Sequence, residues 1–153
     1  MNVVNHSNGA VLATGTSVQA AVQAAVQAGV SLTGADLAGV RLTGAILVAA
    51  DLRHADLTRA DLTRADLTGA VLAYADLTRA DLTRADLTGA VLAFAVLRGA
   101  RLRGADLTGA AMRTADLTGA DLTGAARSVE DDPIPGWSLI PARRLCRKAD
   151  LEC

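Results

Sequence analysis

From Leu32 to Leu122 every fifth residue is leucine, with Met112 the only exception, and an alanine or valine stands two residues before each. Nineteen five-residue units follow one another without a slip. Neither a helix, with a period near 3.6, nor a strand, with a period of 2, repeats in this way. A fixed short period instead describes a solenoid, whose units bury their apolar residues only against their neighbours. The composition agrees. The chain is 51% hydrophobic but only 2% aromatic, its apolar content being mostly Ala and Leu. Two residue types suffice for a uniform tube interior, where each layer offers the same slots.

Three segments follow. Residues 1–29 hold a short apolar run (Ala10, Val11, Leu12), which adds an irregular first layer or stays loose. The stretch Ser17–Gly29 comes next, with Val18, Val22 and Val26 at helical spacing, Thr16 or Ser17 as N-cap and Gly29 as C′ residue. This predicts an amphipathic helix capping the open apolar end of the solenoid, as solenoids require. It carries no Lys or Arg, which argues against a membrane surface. Residues 30–124 are the repeat. In residues 125–153 the pattern stops: Arg127 takes the next leucine slot, an acidic and proline-bearing loop follows, and the remainder reads as an irregular tail. Its Trp137, the sole tryptophan, is expected to cover the second open end or to pack on a flank.

Units such as Ala55-Asp56-Leu57-Thr58-Arg59 and Ala65-Asp66-Leu67-Thr68-Gly69 resemble the pentapeptide-repeat family, whose consensus is A-(D/N)-L-x-x. The resemblance implies an all-β solenoid: a right-handed quadrilateral parallel β-helix with four units per coil, one on each side. Residues 55–74 and 75–94 differ only at Tyr74 versus Phe94, an offset of twenty residues that fits four units per coil. About five coils follow, a rod roughly 23 Å long at ~4.8 Å per layer. Leu and the Ala two before it point inward, and the other three positions face solvent. Bulky residues at the fifth position (Arg59, Arg64, Tyr74, Arg79, Arg84, Phe94) imply that a positive φ is not generally demanded there.

Stacked coils sort the outward residues into columns. On the first side Val71 and Tyr74 lie below Val91 and Phe94, an apolar stripe covered either by the tail or by another protein. With Trp137 these five form the candidate interaction stripe. The second and third sides pair Asp56, Asp76, Asp61 and Asp81 with Arg59, Arg79, Arg64 and Arg84 as a self-neutralising lattice. The fourth carries a candidate acidic ladder, Asp66, Asp86 and Asp106, without arginine.

No catalytic constellation, cofactor site or metal site is expected. The histidines are only His6 and His54, the serines lie apart, and no phosphate-binding glycine loop occurs. His54 reads as a turn residue. Cys146 and Cys153 read as reduced thiols in a cytoplasmic protein. No basic segment precedes an apolar run at the N-terminus, so no signal peptide is expected, and no stretch reaches membrane-span length. Net charge is −1, so no global field steers the chain toward DNA or anionic membrane, and the Arg143–Lys148 cluster reads as a solvated tail.

The function expected is a rigid protein-interaction or scaffold module acting through its outer sides, with the partner unidentified. The family resemblance adds an alternative, a DNA-mimicking modulator of a type II topoisomerase such as DNA gyrase, and also a homodimer paired end to end. A duplex mimic of this length would want on the order of 13 negative charges, whereas residues 30–124 hold eleven Asp against ten Arg. Ice binding by threonine columns is a remote third, because interleaved Asp and Arg make a poor ice surface.

Overall fold

Backbone hydrogen bonds in the computed structural model fix the coil size. The structure describes residues 2–6, 11–15, 17–128, 130–135, 137–140 and 144–147. Parallel bridges join residues twenty apart from Asp36↔Asp56 to Asp106↔Ala126. Between them the leucine amides donate to carbonyls nineteen residues on, as in Leu57 N–H to Asp76 O (2.8 Å) and Leu77 N–H to Val96 O (2.7 Å). Twenty residues per coil is four units per coil, so the chain is a parallel β-helix with four short sides.

The interior is as the periodicity requires. Leu32 to Leu107 are 0% exposed at every leucine position, and the alanines between them are nearly so. Burying each leucine contributes roughly 1.5–3 kcal/mol. Corners are β-turns closed by the alanine amide onto the preceding leucine carbonyl, as in Ala75 N–H to Leu72 O (3.1 Å).

Those turns overturn one expectation. The fifth residue of every unit but the one ending in Thr114 has a left-handed backbone, with φ of 57° at Arg59 and Arg64, 62° at Tyr74 and 59° at Phe94, as well as 65° at Gly69. The turn places its second central residue at positive φ whichever side chain stands there. Only glycine adopts this without strain; for other residues it costs roughly 1–2 kcal/mol. Non-glycine residues therefore sit at strained corners at Ala49, His54, Arg59, Arg64, Tyr74, Arg79, Arg84 and Phe94.

At the N-terminal end, α1 (Val18–Gln27) starts at Ser17, whose side chain accepts from Ala20 N–H, and buries Ala21, Val22 and Ala25. The last two turns close by Gly29 N–H to Val26 O and Val30 N–H to Ala25 O, a Schellman arrangement made possible by Gly29 at φ 68°. The buried face of α1 belongs to the same cluster as Leu32 and the column beyond it. Val11 and Leu12 of the short apolar run lie in β2 (Val11–Gly15), which pairs antiparallel with β1 (Asn2–His6); Ala10 lies outside the described residues. β1 also pairs antiparallel with β3 (Ala35–Asp36), occupying an edge that the first coil would otherwise leave open. Thr16, Arg143, Lys148 and Cys153 lie outside the described residues.

At the other end the coil runs one unit past the leucines, since Ala126 bridges Asp106. The tail is not irregular throughout: β4 (Trp137–Ile140) and β5 (Arg144–Arg147) form an antiparallel hairpin. Leu145 exchanges hydrogen bonds with Gly124 N–H (2.9 Å) and Ala125 O (2.7 Å), which lays β5 against the last coil.

Candidate functional site

Every aspartate of the repeat does the same local job. Its Oδ1 accepts the backbone N–H two residues on, as in Asp76 from Thr78 (2.8 Å) and Asp86 from Thr88 (2.9 Å). The pattern holds from Asp36 to Asp121. An amide at the outward turn is thereby satisfied by a charge-assisted bond, which favours Asp at this position on structural grounds alone.

The acidic ladder is built in this way. Asp66, Asp86 and Asp106 stand in one bridged column, each with Oδ1 held by Thr68, Thr88 or Thr108 N–H at 2.9–3.1 Å. The second oxygen of each is not used in that turn bond, so three half-engaged carboxylates line that side.

The first side places Val71 over Val91 in a bridged column, both half-buried. Beside them Tyr74 and Phe94 are 53% and 52% exposed. Tyr74 stacks on Phe94 with ring centroids 5.0 Å apart and planes within 8°. His54 continues the stack below Tyr74 at 5.0 Å and 6°. The turn residue His54 is thus the first rung of an aromatic column whose spacing is set by the coil rise. Beyond Phe94 the column ends at Thr114, which lacks the left-handed backbone and whose Oγ1 accepts Phe94 N–H (2.9 Å).

Trp137 does not belong with these residues, contrary to the sequence-based grouping. It is 8% exposed and lines a cleft with Leu117, Thr118, Ile134 and Pro135 at the C-terminal end. An indole is wide enough to cover the half-buried Leu117, the leucine of the column that the last coil leaves least protected. The described part of the tail is used there, and the aromatic column stays open to solvent.

The arginine lattice is also paired differently from the expected side-by-side arrangement. The ion pairs are Arg53–Asp51 (2.8 Å), Arg98–Asp116 (2.5 Å), Arg101–Asp81 (3.4 Å) and Arg103–Asp121 (3.5 Å). Arg59, Arg64, Arg79 and Arg84 are exposed and make no ion pair among the described residues. Their side chains leave from the corners, while the neighbouring carboxylates turn back to threonine amides. Hydrogen bonds from Arg53 hold the Asp51 carboxyl well below the usual carboxylate range. A hydrogen bond from Thr43 lowers Asp61, and Thr118, with Arg98, lowers Asp116 to about 2.

A second polar cluster closes the tube and was not legible as a site. Arg127, in the leucine slot, is 3% exposed. Its Nη1 points to Met112 Sδ (3.3 Å) and its Nη2 donates to Asp132 O (2.9 Å), with Asp131 Oδ2 3.8 Å from Nε. The two exceptions to the leucine column therefore touch each other. Asp131 also accepts Gly109 N–H (3.1 Å) and Ser128 N–H (2.8 Å), replacing the carbonyl that a further coil would supply.

Among the described residues, no group of three or more His, Cys, Asp or Glu side chains is placed to hold a metal, and no helix is long and apolar enough to cross a membrane. What the geometry provides is a rigid rod whose corners display aromatic rings on one edge and guanidinium groups on the next two.

Comparison with known proteins places this geometry. The family model "Pentapeptide repeats" matches in eight copies over residues 28–64, 45–84 and 85–124. A pentapeptide-repeat protein of the Arabidopsis thaliana thylakoid lumen is 37% identical, with a TM-score of 0.60 over 65% of this chain and 68% of that one. The pentapeptide-repeat protein Rfr23 of the cyanobacterium Cyanothece 51142 is 31% identical, with a TM-score of 0.37, and the match covers 61% of this chain and 60% of Rfr23. QnrB1, a plasmid-mediated fluoroquinolone resistance protein, is 22% identical, with a TM-score of 0.31 over 63% of this chain and 62% of QnrB1. No curated protein sequence matches the chain. With the family model spanning well over half of its length, the chain belongs to the pentapeptide-repeat family.

Proposed function

We propose that the protein is a non-enzymatic interaction module, a right-handed rod of about five coils whose sides are the working surface. In this reading α1 closes one end, and Trp137 with Ile134 and Leu145 closes the other. The reading is carried by the His54–Tyr74–Phe94 column. Two large rings remain half exposed on a rigid support, and each occupies a left-handed corner where glycine would be less strained. Strain kept at an exposed apolar position is a pointer to use, not to folding.

The test compares wild type with a Tyr74→Asp, Phe94→Asp double variant, since Asp tolerates left-handed backbone. Affinity capture followed by mass spectrometry is expected to lose a specific set of proteins in the variant, with an unchanged circular dichroism melt. An identical capture profile would remove the column as a partner surface. Light scattering on the same pair addresses the homodimer: a dimer mediated by the aromatic column falls to monomer in the variant. Trp137 is a poor probe for this, because charging a buried residue disturbs the end of the rod.

The second reading, binding to a type II topoisomerase, draws on the outward oxygens of Asp66, Asp86 and Asp106. Inhibition of gyrase supercoiling or protection from a quinolone, lost in an Asp→Asn triple variant, would support it. No effect at micromolar protein would retire it.

A further inference from the structure

The third side is the basic side of the rod. Together with its two bounding corners it carries seven arginines (41, 59, 64, 79, 84, 101 and 103) against three aspartates (61, 81 and 121). The carboxylates are used internally. Asp61 accepts from Thr63 N–H (3.0 Å) and Thr43 Oγ1 (2.7 Å), and lies near Arg41. Asp81 accepts from Thr83 N–H (3.0 Å) and Arg101 (3.4 Å). Asp121 accepts from Thr123 N–H (3.0 Å) and pairs with Arg103 at 3.5 Å. With Arg41, Arg101 and Arg103 so matched, the surplus positive charge of this side is Arg59, Arg64, Arg79 and Arg84.

These four stand in two columns at the two edges of the side. Above and below each column the corner residue is glycine: Gly39 and Gly99 for Arg59 and Arg79, Gly44 and Gly104 for Arg64 and Arg84. The Arg79 and Arg84 stems lie over Gly99 and Gly104, their Cγ atoms 3.6 and 3.7 Å from where a Cβ would stand on each. Arginine thus replaces glycine at a left-handed corner only in the two middle layers, and at both edges of one side. Glycine serves the fold at the same corner one layer away, so the fold does not call for arginine here.

We propose that the third side binds a short acidic segment of a partner protein, its carboxylates bridging the Arg59–Arg79 and Arg64–Arg84 columns. Charge complementarity carries the assignment, and forked guanidinium groups suit carboxylates. The footprint argues against a long polyanion. It is only two layers deep, ~5 Å apart. The Arg64–Arg84 corner also borders the side that carries Asp66 and Asp86, and Asp56 and Asp76 flank the other corner. A nucleic acid extending past the arginines on either side would meet carboxylates. This inference deepens the interaction-module reading but uses a different face from the aromatic column.

The experiment is fluorescence anisotropy of a labelled short oligoglutamate with the full-length protein at low and at physiological ionic strength. Wild type is expected to bind, more weakly as salt screens the contact. Replacing Arg59, Arg64, Arg79 and Arg84 together by Gly is expected to weaken binding at least about tenfold. Because glycine suits these corners, the thermal midpoint of that variant should be no lower than that of wild type. Asp66→Asn, Asp86→Asn, Asp106→Asn should bind at least as tightly as wild type, and Tyr74→Asp, Phe94→Asp should leave oligoglutamate binding unchanged. Absence of peptide binding, equal binding by the arginine-to-glycine variant, or tighter binding of an oligothymidylate of equal charge would each overturn the proposal. If capture of partners still depends on Tyr74 and Phe94 in any of these cases, the interaction-module reading survives it.

Discussion

The corner residue of each unit shows how one backbone demand can be met by unlike side chains. Gly69 and Arg64 have nearly the same φ, 65° and 57°, yet open space surrounds a Cβ built on Gly69. Gly69→Ala is therefore expected to lower stability by about 1 kcal/mol through backbone strain alone. Arg64→Gly is expected to be neutral or to stabilise by about 0.5–1 kcal/mol, relief of strain being offset by the wider unfolded ensemble of glycine. Urea melts of the two variants measure both signs. The positive φ escaped sequence reading because arginine and aromatic residues at the corner conceal what glycine advertises. Aspartate was half read: its column and charge were legible, but the hydrogen bond to the residue two on makes it a turn group first. Arg127 offers a second contrast. Arg127→Leu restores an apolar slot but leaves the nearly buried Asp131 carboxylate without its cation, so it is expected to lower stability, though by less than Asp131→Ala, because Asp131 keeps the Gly109 and Ser128 N–H donors. Asp131→Ala leaves Arg127 without its carboxylate and Gly109 and Ser128 N–H without an acceptor. It is expected to lose about 3 kcal/mol or more in the same melts.

At the scale of elements, what repeats was legible and what ends the repeat was not. The helix was readable in detail because its signals are local: valines at i, i+4 and i+8, a serine before them and a glycine after. Ser17→Ala is expected to cost about 1 kcal/mol by removing the cap on Ala20 N–H, read as a lower thermal midpoint. The strands at both ends depend on partners far along the chain. β1 pairs with Ala35–Asp36, and β5 pairs with Gly124 and Ala125. No periodicity in these short segments announces such pairing. Trp137 was expected over the second open end or on a flank and was also grouped with Tyr74 and Phe94, since sequence alone cannot say how far a non-repeating tail reaches.

For the whole molecule, the leucine register supplies the coil, and the columns follow once twenty residues make a turn. The duplicated block 55–74 and 75–94 carries the same number in its offset. The sides then differ in chemistry: apolar and aromatic, mixed, basic, acidic. Three of the carboxylates that support the turns are expected to make stability depend on acid. Asp51, Asp61 and Asp116 titrate below their ordinary value in the folded chain. Their contribution is complete above the unfolded value near 3.8 and is lost as pH falls through the folded values, toward 2 at Asp116. Thermal midpoints followed by circular dichroism are expected to be insensitive to these groups from pH 5 to 8 and to drop below about pH 4. The most direct measurement of the coil itself is the through-hydrogen-bond scalar coupling in a labelled NMR sample. Correlations are expected from Leu57 N–H to the Asp76 carbonyl and from Leu77 N–H to the Val96 carbonyl, nineteen residues on. Correlations to the carbonyl four residues before, as in a helix, or at an offset belonging to another coil size, would contradict the square coil and every column built on it.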